Sequence, residues 1–303
     1  MMVESFLRYI RYEKNYSSHT VISYKNDLLQ FEAYCAQVTG EFDPLSVDLD
    51  IVRNWMVSMA EEGVQVSSVK RKVSALRSFF KYLKREGKIT ESPLCLLSMP
   101  KTRKKLPVYV REDQMDFLID DIDFGEGFRG VRDRLLLTML YTTGMRRSEL
   151  IGLRDDDVDF FNSVIRVTGK GNKQRLIPFG RELLDLMKGY LDCRSKEIGK
   201  TGGVFLVKED GDPMYAGLVY QVVRKYLALV SSLAKRSPHV LRHSFATAML
   251  KGGAELTTVK ELLGHSTLSS TEVYTHVSPK EIMMNYNQAH PRANKEKGGQ
   301  DGN

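Results

Sequence analysis

The sequence predicts a mainly α-helical protein of two domains: an all-α first domain, and a second that is mostly helical with a small antiparallel β-sheet. Three observations carry this expectation. Apolar residues recur at helical spacing through the first hundred residues. The stretch SMPKTRKKLPVYV (98–110) then has two prolines around a basic cluster and no apolar period, as an interdomain linker would. Beyond it, one pair of alternating runs, Val164 to Val167 and Arg175 to Pro178, stands among further helical segments and reads as a hairpin. The expected boundaries are residues 1–98 for the first domain, 99–110 for the linker and 111–290 for the second domain. Residues 291–303, rich in Gly, Lys, Asn and Gln, are expected to form a disordered tail.

Glu4 to Tyr12 is the first helical segment, and the break at Asn15-Tyr16-Ser17-Ser18 caps a longer one to about Gln37. Val47 to Ala60 follows, closed by Gly63. Ser67 is placed to cap a fourth helix, with Val69, Val73, Leu76, Phe80 and Leu83 as its apolar stripe. In the second domain, Val131 to Tyr141 is apolar and helical until Thr143-Gly144 breaks it. Met145 to Gly152, Glu182 to Leu191 and Ala216 to Leu233 are further helices, and Lys170 sits at the tip of the hairpin loop. Ser237 and Pro238 open another helix at its cap and first positions. Leu241, Phe245, Ala248 and Met249 form its core face, and Gly252-Gly253 ends it. Leu256, Val259, Leu262 and Leu263 make one more period, which stops at Gly264.

Hydrophobic residues make up 42% of the 303 and charged residues 27%, the balance of a globular protein. No apolar run reaches the length of a membrane span, and the N-terminus lacks the apolar segment of a signal peptide, so no membrane partner is expected. Three scattered cysteines suit neither a disulfide framework nor a zinc knuckle. The expected location is a reducing cytoplasm. The net charge of +7 is local: residues 64–107 hold twelve Lys and Arg against Glu86 and Glu91. Lys70, Arg77, Lys81 and Lys84, with Arg71 beside them, form a basic side on the fourth helix, and Arg103, Lys104 and Lys105 lie in the linker. No acidic residue lies between Lys70 and Arg85 to make this an ordinary salt-bridged face, so these residues are expected to face a polyanion, with DNA the preferred one.

The chemistry concentrates in residues 237–277. His239, Arg242 and His243 share a helical face at i, i+3 and i+4; His265 follows a helix end, and Tyr274 lies further on. A cationic face, a histidine at a turn and a tyrosine together suit a phosphodiester. Arg146 begins a helix after the Thr143-Gly144 turn, where free amides already favour an anion, and Glu149 is close enough to hold its guanidinium. Lys170 between glycines lacks the spacing of a P-loop but suits proton donation to a leaving oxygen. Arg242 between two histidines argues against a metal helix. Asp155, Asp156, Asp157 and Asp159 fall at a turn where aspartate is expected anyway. No metal and no cofactor is expected.

Taken in order, TGMRRSEL (143–150), GKGNK (169–173), HVLRHSFAT (239–247), LGH (263–265) and YTH (274–276) resemble the tyrosine recombinases. The L-P of the linker and AHPRA (289–293) resemble the Xer-type branch in particular. Departures are small: Met145 and Arg147 stand where Leu and Val are commoner, and Ala248-Met249 where His-Leu is frequent. The resemblance implies a two-domain clamp around double-stranded DNA with a short core site. It also implies a homo- or hetero-tetramer on two duplexes, with a second related recombinase and a septal DNA translocase among the partners, in a nucleoid-associated setting. It implies Tyr274 as nucleophile, forming a 3′-phosphotyrosyl intermediate, and Arg146 and Arg242 as the phosphate clamp. His239 and His265 would be hydrogen-bond donors, Lys170 the proton donor to the 5′-oxygen, and Glu149 the support for Arg146. The end segment around Glu281 to Gln288 would dock into a neighbouring protomer. Chromosome-dimer resolution is the expected role. An integrase of a mobile element, a type IB topoisomerase and a DNA-binding protein without catalysis are the competing readings.

Overall fold

The computed structural model describes residues 2–99, 108–169, 172–264 and 279–293, with backbone alone for 279–282. Lys170, His265, Tyr274, Arg103, Lys104 and Lys105 lie outside the described residues. The chain divides into two compact units, Met1–Lys105 and Leu106–Asn303.

In the first unit, α1 (Met2–Arg8) runs into a π-helical turn (Tyr9–Glu13), followed by α2 (Ser18–Thr39), α3 (Leu49–Glu61) and α4 (Val66–Arg85). The caps are local chemistry. Ser17 Oγ accepts from Thr20 N, and Asp48 Oδ1 accepts from Ile51 N at 2.8 Å. Helix α4 begins at Val66, so Ser67 lies in its first turn and Gln65 takes the cap position. Its expected stripe (Val69, Val73, Leu76, Phe80, Leu83) is buried throughout, joined by Phe79. Around it Phe6 meets Phe79 edge-on, and Phe31 meets Trp55 at 4.9 Å between ring centroids.

The basic side of α4 is more committed than its sequence suggests. Asp27 on α2, almost fully buried, accepts from Arg71 and lies 3.5 Å from Lys72, which also donates to Gln30. Arg77 donates to Leu97 O at 2.5 Å. The acidic partner absent from the α4 run is thus supplied by a helix some forty residues earlier, so the absence of neighbouring acids did not imply an unpaired face. Lys81 and Lys84 are exposed, and Lys70 is half-buried.

In the second unit the helices are α5 (Glu112–Asp120), α6 (Gly127–Thr143), α7 (Arg147–Ile151), α8 (Arg181–Glu197), α9 (Ala216–Val230), α10 (Pro238–Lys251), α11 (Leu256–Leu263) and α12 (Pro279–Ala289). Helix α6 is buried along most of its length and packs on α8 and α10. The sheet has three strands, one more than the expected hairpin: β1 (Val158–Asp159), β2 (Val164–Thr168) and β3 (Gln174–Pro178), all antiparallel. Strand β1 is too short to show a period. In β2 and β3, Ile165 faces Ile177 and Val167 faces Arg175. The side chains of Asp155, Asp157 and Asp159 are engaged locally or by arginine. Asp155 takes Arg194, Asp157 takes Arg166 and the Arg154 amide, and Asp159 accepts from the Phe161 and Asn162 amides.

Residues 291–293 depart from the expected disordered tail. Arg292 is buried and donates to Asp116 and Asp120 of α5 and to Glu182 of α8. A Cβ on Gly252 or Gly180 would overlap the carbonyl oxygen of Ala289 or Ala293, so the chain end is seated closely on the domain. Composition hid this because one buried arginine with three carboxylates outweighs a polar, glycine-rich context. Tyr286 and Ala289 of α12 pack with Phe245 and Met249 of α10, so this end segment covers its own domain here.

His290 lies between aromatic rings, stacked on Tyr286 and Phe245, and its Nδ1 accepts from Arg292 N. Burial pushes its imidazole down to about 3, so it stays neutral in the fold while an unfolded chain would protonate near the ordinary 6.5. Its contribution to stability is therefore present above about pH 6.5 and is lost as pH falls towards 3. In His290→Phe, the unfolding free energy of this domain, measured by urea titration, should fall less steeply between pH 7 and 4 than in the parent. The difference should amount to roughly 3 kcal/mol over that window. Equal slopes in the two proteins would contradict it.

Candidate active site

Four elements build the site. Helix α6 ends at Gly144, whose left-handed backbone (φ 59°) turns the chain into α7. No other residue fits there, since a Cβ would also overlap the Phe245 ring. Thr143 steadies the turn, its Oγ1 accepting from Met145 N. Arg146 stands at the cap position of α7, and Glu149 reaches back to it: Oε2 accepts from Arg146 N at 2.7 Å and Oε1 from Nη1 at 2.8 Å. From α10, Arg242 donates to Gly144 O at 2.7 Å and to Leu263 O at 2.5 Å. From β3, Arg175 grips Glu149 with both Nη atoms, at 2.8 and 2.9 Å, and donates from Nε to Leu262 O at 2.7 Å.

These arginines converge on the end of α11. Its last carbonyls have no partner inside the helix, and each takes a different guanidinium: Leu262 O from Arg175, Leu263 O from Arg242, and Gly264 O from Arg146 at 3.0 Å. The carbonyl end of a helix also attracts cations through its dipole. Three guanidiniums thus surround one carboxylate, leaving a net positive cluster. A Cβ on Gly169, the residue before Lys170, would lie 3.5 Å from Glu149 Oε1 and 3.8 Å from Arg146 Nη1. Gly264 directly precedes His265. The described chain therefore brings the neighbours of Lys170 and His265 to the same cluster as Arg146 and Arg242.

The electrostatics follow from this crowding. Burial first, then the charges of Arg146 and Arg175, push Arg242 down to about 10, so it remains charged at neutral pH. Burial pushes Glu149 up, but the hydrogen bonds and charges of Arg175 and Arg146 outweigh it and hold the carboxyl at about 2. His239, exposed in the first turn of α10, is lowered by partial desolvation, then by His243, Lys235 and Arg242. It is neutral at physiological pH and can donate one hydrogen bond. Ser237 occupies the cap of α10, but its Oγ makes no hydrogen bond among the described residues, so the expected side-chain cap is absent. Arg175 is the site residue that the sequence reading missed.

Comparison with known proteins gives the family. The phage integrase family matches residues 109–281, and its N-terminal SAM-like domain matches residues 3–87. The chain belongs to the phage integrase family and is a tyrosine recombinase, an enzyme that breaks and rejoins DNA strands by transesterification. Within that class it is similar to proteins named tyrosine recombinase XerC. That of Bacillus licheniformis is 40% identical over 299 residues, covering 96% of this chain and 97% of that protein. That of Bacillus subtilis is 37% identical over 295 residues, covering 96% of both.

Solved structures share the fold. XerH bound to a palindromic difH substrate, in a post-cleavage complex, matches with a TM-score of 0.71 at 22% identity, covering 94% of each chain. The Tn1549 transposon integrase (residues 82–397) in complex with circular intermediate DNA matches with a TM-score of 0.70 at 22% identity, covering 93% of this chain and 98% of that one.

Proposed function

We propose that this chain is a Xer-type site-specific recombinase that cuts and rejoins double-stranded DNA at a short core site and resolves chromosome dimers. The observation that carries the reading is the positive cluster at the end of α11. There Arg146 and Arg242 come together one residue before His265 and ten before Tyr274. Among the described residues, their bonds leave each guanidinium with N–H donors for an anion, and fork-like donors match the non-bridging oxygens of a phosphate.

In this reading Tyr274 Oη attacks the scissile phosphorus. The new O–P bond forms as the bond to the 5′-oxygen breaks, leaving a 3′-phosphotyrosyl link. Lys170 delivers a proton to the departing 5′-oxygen. Arg146 and Arg242 balance the charge that builds on the non-bridging oxygens, with His239 and His265 adding hydrogen bonds. A 5′-hydroxyl from a second duplex then reverses the step and frees the tyrosine. The diester's energy is conserved in the intermediate, so the exchange consumes no nucleotide. Four protomers on two duplexes, with a related recombinase as partner and a septal translocase as activator, complete the reading.

Lys81 and Lys84, exposed on α4, and the linker residues Arg103, Lys104 and Lys105 are the phosphate-tracking group in this proposal. Affinity for duplex should fall linearly in log–log terms with salt, at about 0.9 per phosphate neutralised. Lys81→Gln with Lys84→Gln should reduce that slope by about 2; an unchanged slope would remove these lysines from the interface.

Covalent capture tests the function as a whole. The protein is expressed in its host, the cells are lysed in denaturant, and DNA still attached is sequenced. Adducts at one chromosomal locus near the replication terminus are expected. Adducts at the ends of a mobile element would instead make it that element's integrase. Binding without adducts would overturn the catalytic reading.

A further inference from the structure

Arg175 has no role in the phosphate clamp described above, yet among the described residues its side chain donates three hydrogen bonds, against two from the side chain of either clamp arginine. Its side chain is largely buried, 11% exposed. It spans two elements at once: both Nη atoms on Glu149 of α7, and Nε on Leu262 O at the end of α11. It also lies against the next part of that end, since a Cβ on Gly264 would sit 3.1 Å from Arg175 Nη1 and 3.2 Å from its Cδ. The strand that carries it, β3, leaves the hairpin loop containing Lys170, and the loop's base is tied by Gly169 N donating to Lys173 O at 2.8 Å.

Counting Glu149's bonds shows what depends on Arg175. Oε1 accepts from Arg146 Nη1 and Arg175 Nη1, and Oε2 from Arg146 N and Arg175 Nη2. All four acceptor positions of the carboxylate are filled, half of them by Arg175. A carboxylate held on both sides cannot rotate, and so Arg146, which it grips through backbone and side chain, has one orientation.

We infer that Arg175 is a positioning residue for strand cleavage: from β3 it fixes Glu149, and through it Arg146, against the carbonyl end of α11 from which the chain continues to His265 and Tyr274. Phosphate clamp, hairpin and the end of α11 are thereby registered to one another by a single guanidinium. This rests on the recombinase reading above, and the test separates the two.

The test uses full-length protein and a nicked duplex carrying the core sequence recovered by covalent capture, with single-turnover adduct formation followed from pH 5 to 9. The parent protein forms adducts; if it does not, the recombinase reading fails and this inference falls with it. Arg175→Met should bind the duplex within about twofold of the parent and form adducts about 10²-fold more slowly, the cost of a small misplacement at a reacting centre. Arg175→Lys, which keeps the charge but cannot grip both carboxylate oxygens, should fall between the two.

The pH profile distinguishes positioning from general loss of structure. Among the described residues, the charged groups facing Glu149 are Arg146 from its own helix, Arg175 from β3 and Arg242 from α10. Without Arg175, burial acts on Glu149 against weaker opposition, and its carboxyl rises from about 2. The rate should then drop as pH falls through the raised value, an acid limb added to whatever pH dependence the parent shows over this range. The double variant Arg175→Met with Glu149→Gln, which leaves no buried carboxylate to titrate, should lose that limb while remaining slow. Parent-like rates in Arg175→Met, or a slow rate with no added acid limb in a variant that binds normally, would overturn the proposal. Should Arg175→Met fail to fold, Arg175→Lys at parent rates overturns it as well.

Discussion

Tyr274→Phe binds the core duplex as the parent does and yields no covalent adduct. This is the largest effect expected from any single substitution, because removing one oxygen removes the only atom assigned to form the bond to phosphorus. The pocket that would serve that oxygen is already cationic, with three guanidiniums about one carboxylate. A tyrosine hydroxyl has an ordinary pKa near 10, and neighbouring positive charge favours its phenolate. The measurement is a denaturing gel of protein with end-labelled nicked duplex, alongside a mobility shift. Any adduct from the phenylalanine variant would transfer the nucleophile's role to another residue. Loss of binding would show instead that Tyr274 is part of the duplex interface.

Arg242→Ala should slow adduct formation by about 10²-fold or more, the usual cost of a lost donor at a developing oxyanion. The structure adds a second reason for a large effect. Arg242 is buried and donates to Gly144 O and Leu263 O, so its loss takes this donor from two carbonyls, at the turn before Arg146 and at the end of α11. Arg242→Lys is not expected to rescue it: an ammonium cannot reach both carbonyls and also present a planar pair of donors to phosphate. Single-turnover rates with binding measured in parallel separate the chemical loss from any loss of affinity. A lysine variant near the parental rate would mean that charge alone suffices and that the fork geometry is not used.

Much of this was legible in the sequence, for physical reasons that differ from element to element. The stripe of α4 and the core face of α10 follow from apolar spacing, and every residue named on them is buried. The turn at Gly144 and the end of α11 at Gly264 could be read because only glycine takes those left-handed positions readily, with φ of 59° and 64°. Glu149's hold on Arg146 is local, three residues apart. What escaped the reading were partnerships between distant segments. Asp27 answers Arg71 and Lys72 across 44 and 45 residues, and nothing in the α4 run reveals it. Arg292 meets α5 and α8 from the chain's end, inside a composition that spoke for disorder.

Arg175 did leave a trace. It shares a strand face with buried Ile177, two residues on, and a charge on the inward face of a strand requires a partner. The identity of that partner, Glu149, was available only from the fold.

The seating of the chain end on its own domain bounds where Tyr274, the nucleophile of the proposed reaction, can lie. Tyr274 lies ten residues beyond Gly264 but only five before Pro279, where α12 begins. A fully extended chain spans at most about 3.6 Å per residue, so the first tether permits about 36 Å and the second about 18 Å. The shorter leash therefore runs to α12, and α12 is held by Tyr286 and Ala289 in the α10 cluster and by Arg292 just beyond it. An arginine 18 residues past the tyrosine in sequence thus helps set the bound on where the phenol can lie. In the proposed reaction, the effective concentration of Tyr274 at its phosphate would depend in part on this ion cluster at the chain's end.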